Sequence, residues 1–214
     1  MTNKLYIIFS TADWNSKYLT NKQHLAHSLS KEKNSNVLYI ESFGIRKPKL
    51  KSLTDCKRII KRLFTQKTQQ LKNDQINISI YKPKIFPISL SNKVLNILNI
   101  YLISTYINKF LKKNIYTEII VWSFHPFYVE QIVNKLKKDI DKVVYNSVDD
   151  LSAIKGINKN HYLAAENMFI SYADIVFVTN KEIYERLKPF SNEIKYYPNV
   201  ADLSHFSSPT SIFN

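Results

Sequence analysis

The stretch Ala173-Asp174-Ile175-Val176-Phe177-Val178-Thr179-Asn180 and the residues after it decide the fold of this chain. Its four central residues form a short, unbroken apolar run, which is typical of a strand that helices cover on both faces. A basic segment with helical character follows. The stretch Ile194-Lys195-Tyr196-Tyr197-Pro198 then predicts a second short strand that ends at the proline. A strand, a helix and a further strand in this order predict a parallel βαβ unit.

Similar apolar runs occur earlier in the chain, at residues 5–9, 37–40, 119–122 and 143–145. Helical patterns lie between them. Residues 22–33 place three apolar side chains on one face, behind a capping box of Thr20 and Gln23. Residues 127–138 have a similar apolar face. The sequence therefore predicts an α/β fold with a Rossmann-like, doubly wound and mainly parallel sheet.

The middle of the chain contains two longer helical patterns. Residues 94–111 predict a long apolar helix, and the alternating residues 76–81 predict a strand before it. Residues 53–71 predict an amphipathic helix, since Cys56, Ile59 and Ile60 share one side of it. The basic residues of its opposite side are Lys57, Arg58, Lys61 and Arg62.

The composition favours one large folded domain in a reducing compartment. Of the 214 residues, 44% are apolar, enough for a packed core, and the single cysteine excludes an internal disulfide. The apolar start is too short for a secretory signal, and no uninterrupted apolar stretch reaches about 18 residues. We therefore expect a cytoplasmic protein without a membrane span.

The net charge of +14, from 31 Lys and Arg against 17 Asp and Glu, would attract nucleic acid, anionic lipid or another polyanion. A general richness in Lys, Asn and Ile is an equally good explanation of this excess.

Several common chemistries lack their motifs here. Gly44 and Gly156 are the only glycines, so neither a dinucleotide fingerprint nor a P-loop can be formed. His24 and His27 have no third ligand at metal-binding spacing, and no G-x-S-x-G motif is present. We therefore expect no metal site and no serine-hydrolase chemistry.

Polar residues that follow predicted strands are the candidate site, because ligands of doubly wound sheets bind beyond the carboxyl ends of the strands. After the first strand, Asp13 and Trp14 offer a hydrogen-bond acceptor beside an aromatic plane, which suits a sugar. An ordinary Asx-turn with a packed tryptophan is the alternative.

Two later loops add further candidates. His125 follows the strand at 119–122 and could move a proton at physiological pH, or could be a structural histidine bonded to backbone. Asp149 and Asp150 follow the strand at 143–145. One could accept hydrogen bonds from sugar hydroxyls while the other caps the next turn, or both could serve only as caps.

Five stretches are informative when they are taken together: Phe9-Ser10-Thr11-Ala12-Asp13-Trp14, Asn21-Lys22-Gln23-His24-Leu25-Ala26, Val37-Leu38-Tyr39-Ile40-Glu41, Val144-Tyr145-Asn146-Ser147-Val148-Asp149-Asp150-Leu151-Ser152 and Ala173-Asp174-Ile175-Val176-Phe177. They resemble bacterial GT-B glycosyltransferases of the large retaining family 4, and most closely the teichuronic-acid-type enzymes of cell-surface polysaccharide synthesis. The similarity extends over about residues 4–206 and is vaguest between 46 and 72.

The resemblance implies that the chain is the N-terminal, acceptor-side half of a GT-B fold. It implies His125 and Asp149 as catalytic residues and a function without an essential metal. It also implies a lipid-linked or polymeric sugar acceptor. The implied acceptor-binding residues are Thr11, Asp13, Trp14, Lys22, Gln23 and Asp150.

In the same interpretation, residues 1–206 are this acceptor domain and 207–214 begin a linker or a disordered tail. We expect no cofactor in this chain, because the nucleotide-sugar donor belongs to a C-terminal domain that the chain lacks. The chain alone is therefore expected to be inactive and to need a separate C-terminal domain as its partner.

Lys57, Arg58, Lys61 and Arg62 would hold the protein against the anionic inner surface of the plasma membrane, unless they are a solvated helix face. The alternative function is a non-catalytic basic module that binds a polyanion or an anionic membrane surface. Nucleic acid is not expected as a partner, because no known nucleic-acid-binding motif is present.

Overall fold

The computed structural model describes residues 3–42, 68–73, 75–84, 93–154 and 157–198. The predicted basic residues Lys57, Arg58, Lys61 and Arg62 lie outside these ranges. So do the linker at 207–214 and the end of the predicted domain at 206.

The described residues form one eight-stranded sheet in the order β3-β4-β2-β1-β5-β6-β7-β8. All neighbouring strands are parallel except β3 and β4, which pair antiparallel. The predicted Rossmann-like, mainly parallel α/β fold is therefore confirmed. The strands are β1 (Lys4–Phe9), β2 (Ser35–Ile40), β3 (Thr68–Lys72), β4 (Asn77–Tyr81), β5 (Glu118–Ser123), β6 (Lys142–Ser147), β7 (Ile175–Val178) and β8 (Ile194–Tyr196).

Helices cover both faces of this sheet. The Thr20–Gln23 capping box is confirmed at the first of them, where the Gln23 side chain accepts the Thr20 backbone N–H at 2.9 Å. Two short 3-10 helices, Leu151–Ala153 and Lys188–Phe190, supplement the longer ones. The α-helices of the described residues are α1 (Asn21–Ser30), α2 (Lys93–Leu111), α3 (Val129–Val133), α4 (Lys159–Tyr172) and α5 (Lys181–Leu187).

Two predicted helices need correction, and one helix was not predicted. The predicted helix at 53–71 is wrong at its end, because residues 68–72 are strand β3. The predicted helix at 127–138 is only the five residues of α3: Tyr128 has a left-handed backbone, with φ 60°, and Asn108 bonds the backbone of Lys135 and Lys137. Helix α4 was not predicted, although its buried residues Tyr162, Glu166, Phe169 and Ile170 have helical spacing.

The side chains of β1 show why its sequence is apolar throughout. Leu5, Ile7 and Phe9 point into the larger core, which includes side chains of every described α-helix except α1. Tyr6 and Ile8 point into the opposite core, against α1. Both faces of the strand are therefore buried, which the unbroken apolar run predicts.

One side of helix α2 packs into the core. Helix α2 is the one described helix that is long and apolar enough to cross a membrane by length and composition, and 39% of its apolar window is buried. Its residues Ile100, Ile103 and Ile107 belong to the larger core, so packing within the domain explains why this side of the helix is apolar.

The sheet order reverses between β1 and β5. From β1 the chain proceeds outward through β2 to β4 on one side, and then returns to the other side of β1 with β5. In doubly wound sheets, such a switch point leaves a crevice beyond the carboxyl ends of the two strands. We call the loops at this edge of the sheet the rim.

Candidate functional site

The centre of the rim contains a lysine and an aspartate from distant parts of the sequence. Lys22 Nζ, in the first turn of α1, lies 3.8 Å from Asp149 Oδ2, in the loop after β6. The Lys22 side chain is 10% exposed, whereas that of Asp149 is 66% exposed. Burial lowers the pKa of Lys22, and the charge and hydrogen bond of Asp149 oppose this shift. The pair therefore presents a solvent-facing carboxylate beside a sheltered cation.

The switch point positions this pair. Phe124 follows β5, and its backbone N–H donates to the carbonyl of Phe9 at 2.9 Å. This bond extends the backbone pairing of β1 and β5 by one residue. Lys22 Nζ lies 5.5 Å from the centroid of the Phe124 ring, within the range of a cation–π contact. On the far side, Thr179 Oγ1 donates to the Val148 carbonyl at 2.7 Å and holds the loop that carries Asp149.

The loop after β1 is built around Trp14 and Gln23, both predicted to bind the acceptor. Gln23 is fully buried, and its amide donates to the Asp13 carbonyl at 3.1 Å and to Ser16 Oγ at 2.9 Å. Trp14 is 8% exposed and packs against His27 and Tyr39. Both side chains shape the loop from below. Neither side chain presents an exposed surface on the rim, and binding of the acceptor by Trp14 and Gln23 stays a prediction.

A buried glutamate that is not among the predicted site residues supports the same loop. Glu41, just after β2, accepts the Trp14 backbone N–H on Oε1 at 2.8 Å. Its Oε2 lies 3.3 Å from Lys82 Nζ, just after β4. An acidic residue directly after an apolar strand is the signal that could have identified it, because that position leads onto the rim.

His125 is in the core beneath the rim. Its side chain has no exposed surface and packs near the rings of Phe9 and Phe127. Burial lowers its pKa to about 3, so the ring is neutral at physiological pH. This placement gives His125 no exposed surface on the rim, and its catalytic role stays a prediction. The placement favours the structural alternative, in which the residue positions the loop after β5.

Three further candidates have partly or fully accessible side chains. Thr11 and Asp13 are partly exposed in the loop after β1. Asp150 is exposed, and its carboxylate accepts the Ser152 backbone N–H at 2.9 Å, which caps the first 3-10 helix. One of the two adjacent aspartates is thus a cap, and the other, Asp149, faces solvent beside Lys22.

A second polar cluster, which no sequence pattern predicts, lies behind β6. Glu166 on α4 is fully buried. Its Oε1 accepts Tyr145 and Tyr162 hydroxyls at 2.7 Å each, and Oε2 accepts Arg186 of α5 at 2.5 Å. Burial, with the charge of Glu166, raises the pKa of both tyrosines. This cluster joins a strand to two helices and is structural.

No metal centre is apparent in the part of the chain that the structure describes, where no group of three or more His, Cys, Asp and Glu side chains could hold an ion.

The fold and the rim define a Rossmann-like α/β domain with a polar pair at its switch point. No protein-family model matches the chain, and no curated protein matches it. Solved structures with this fold include a sucrose-phosphate synthase from Thermosynechococcus elongatus, 11% identical with a TM-score of 0.59 over 94% of this chain and 49% of that one. A shorter chain of that synthase, 10% identical, has a TM-score of 0.53 over 95% of this chain and 93% of its own.

A third structure is described as trehalose-6-phosphate from E. coli bound with UDP-2-fluoro glucose. It is 8% identical and has a TM-score of 0.51 over 96% of this chain and 50% of that one. These neighbours are GT-B glycosyltransferases, and the chain spans about half the length of two of the three matched chains. At identities this low the likeness shows the fold, which agrees with the predicted GT-B relationship.

Proposed function

We propose that this chain is the acceptor-side domain of a glycosyltransferase that transfers a sugar from a nucleotide-sugar to a lipid-linked or polymeric acceptor in cell-surface polysaccharide synthesis. The observation that carries the proposal is the Lys22–Asp149 pair at the switch point of a fold shared with GT-B enzymes. The motifs that resemble retaining family 4 and its teichuronic-acid-type members supply the finer assignment.

In this proposal Asp149 receives the acceptor. Its exposed carboxylate accepts hydrogen bonds from a sugar hydroxyl, and Lys22 orients the carboxylate while donating to a neighbouring acceptor oxygen. The accessible side chains of Thr11 and Asp13 extend the polar surface along the loop after β1. Trp14, Gln23 and His125 keep these loops in place from below.

The nucleotide-sugar is bound, in the same proposal, by a second domain on this or a separate polypeptide, which faces the rim. That domain would stabilise the charge that develops on the departing diphosphate. Such a protein would act in the cytoplasm at the inner face of the membrane, where lipid-linked acceptors present their sugars.

We expect Lys22→Met and Asp149→Asn each to weaken acceptor binding about ten- to hundredfold, because each removes one charged hydrogen-bonding group from the rim. The measurement is a calorimetric or NMR titration of the full chain with a polyprenyl-diphosphate-linked sugar. The matched controls are Lys33→Met and Asp139→Asn, which change exposed residues of the same types outside the rim. Equal affinity of all four variants and the parent would contradict the proposed site.

The net charge of +14 favours one alternative, a non-catalytic module that binds a polyanion. A salt titration distinguishes the two functions. Affinity for nucleic acid or a teichoic-type polymer that falls steeply with salt, together with no affinity for the lipid-linked sugar, would support the module.

A further inference from the structure

The exposed face of α2 is divided into an apolar and a basic half. Four residues near its beginning lie on one side at helical spacing, and most are well exposed: Val94 74%, Ile97 63%, Leu98 38% and Tyr101 60%. They form a stripe because residues three and four positions apart share a helix face. We call these four residues the apolar stripe. The opposite side of α2 is in the core, so the stripe is not needed for packing the helix onto the sheet.

The same face becomes basic toward the end of the helix. There a groove of about 440 Å³ lies between α2 and the segment after α3. Asn108 joins its two walls, donating to the Lys135 carbonyl at 3.0 Å and accepting the Lys137 backbone N–H at 2.8 Å. No acidic residue is among the residues that line it, which are Tyr101, Ser104, Thr105, Asn108, Lys109, Lys112, Lys135 and Lys137.

We propose that this face of α2 docks onto an anionic phospholipid membrane. The apolar stripe enters the boundary between headgroups and acyl chains, and the lysine groove takes lipid phosphate headgroups. From Val94 to Leu111 the helix extends about 26 Å, so both halves can touch one flat surface when α2 lies along it. The inference extends the proposed function, since a lipid-linked acceptor is found at such a surface.

Charge complementarity selects the membrane over other occupants. A second copy of the chain would bring lysines against lysines if it docked through the same face, which costs free energy. An apolar protein partner would cover the stripe but would leave the four lysines of the groove without an opposite charge. The groove itself has no acidic residue to neutralise them. A membrane with anionic lipids satisfies both halves together, because it is apolar inside and negative at its surface.

The test is partition of the full chain onto vesicles of phosphatidylcholine alone and of phosphatidylcholine with phosphatidylglycerol. We expect Val94→Gln/Ile97→Gln to weaken binding to the anionic vesicles roughly ten- to hundredfold, because two apolar side chains no longer enter the lipid. Lys109→Gln/Lys112→Gln should weaken it about 25-fold, since each lysine near an anionic surface adds attraction. Both expectations concern the lipid alone, so neither depends on an acceptor or on Lys22 and Asp149.

Matched controls decide whether the face itself is responsible. Met168→Gln/Phe190→Gln removes two apolar side chains of similar exposure, and Lys31→Gln/Lys33→Gln removes two exposed lysines near the end of α1, on the other face of the sheet. Both should change partition less than about threefold. The inference is overturned if the parent does not bind the anionic vesicles, or if the α2 variants bind as the parent does, whether or not Lys57→Gln/Arg58→Gln/Lys61→Gln/Arg62→Gln abolishes binding. It is also overturned if the stripe variant only turns a dimer into a monomer by light scattering.

Discussion

Replacing Glu166 with alanine is expected to lower the free energy of unfolding by about 3–5 kcal/mol, the usual cost of removing one partner of a buried ion pair. The carboxylate is fully buried and accepts from Tyr145, Tyr162 and Arg186, which belong to β6, α4 and α5. Without it, two buried hydroxyls and a half-buried guanidinium lose their acceptor. The measurement is urea unfolding followed by tryptophan fluorescence.

Two further variants separate the cluster from a general effect of mutation. Tyr145→Phe removes one hydroxyl and should cost about 1 kcal/mol, because the other donors to Glu166 remain. Glu185→Ala changes an exposed acid on α5 and should be within about 0.5 kcal/mol of the parent. If Glu166→Ala is no less stable than Glu185→Ala, the cluster contributes nothing to stability.

Acid should destabilise the protein through His125, and His125→Leu should remove this part of the pH dependence. Burial lowers the pKa of His125 from 6.5 to about 3 in the folded chain. Between these values the unfolded chain binds a proton that the folded chain does not, so stability falls as pH falls. The stability that depends on a neutral His125 is fully present above about pH 6.5 and is lost by about pH 3. At pH 4 the loss is about 3 kcal/mol.

The measurement is the difference in unfolding free energy between parent and variant at several pH values from 7 to 4. Carboxylates titrate in both proteins, so their effects largely cancel in this difference. The unfolding free energy of the parent minus that of the variant should therefore decrease as the pH falls. His24→Gln, at an exposed position on α1, is the control and should follow the parent at every pH. A parent and a His125→Leu variant with parallel pH profiles would show that His125 does not titrate as its burial requires.

The strands of this fold, apart from β3, were predictable because their pattern is local. A strand buried on both faces needs apolar residues at every position, and β7 was predicted with the bounds that the structure has. The Thr20–Gln23 capping box is equally local and was also found. Helix α3 was predicted too long, because its end depends on Asn108 of α2, which competes for the backbone of the following residues.

The candidate site was predictable as a region and not as a set of contacts. Residues after parallel strands must reach one edge of the sheet, so the loops containing Asp13, His125 and Asp149 were correctly assigned to the rim. Which of their side chains face solvent depends on how deeply each one is packed against neighbouring elements. Trp14 and Gln23 fill the space under their own loop, and His125 is enclosed by aromatic rings of β1 and the segment before α3.

The sequence by itself determined the α/β class, the parallel strands and the edge at which polar residues collect, because these follow from periodicity and strand direction. Only the tertiary structure decided that Lys22 reaches Asp149, that Glu166 gathers donors from three elements, and that α2 leaves one face open. Each of these depends on the distance between elements far apart in the chain. Such distances are set by the summed packing of the core and by no local pattern of residues.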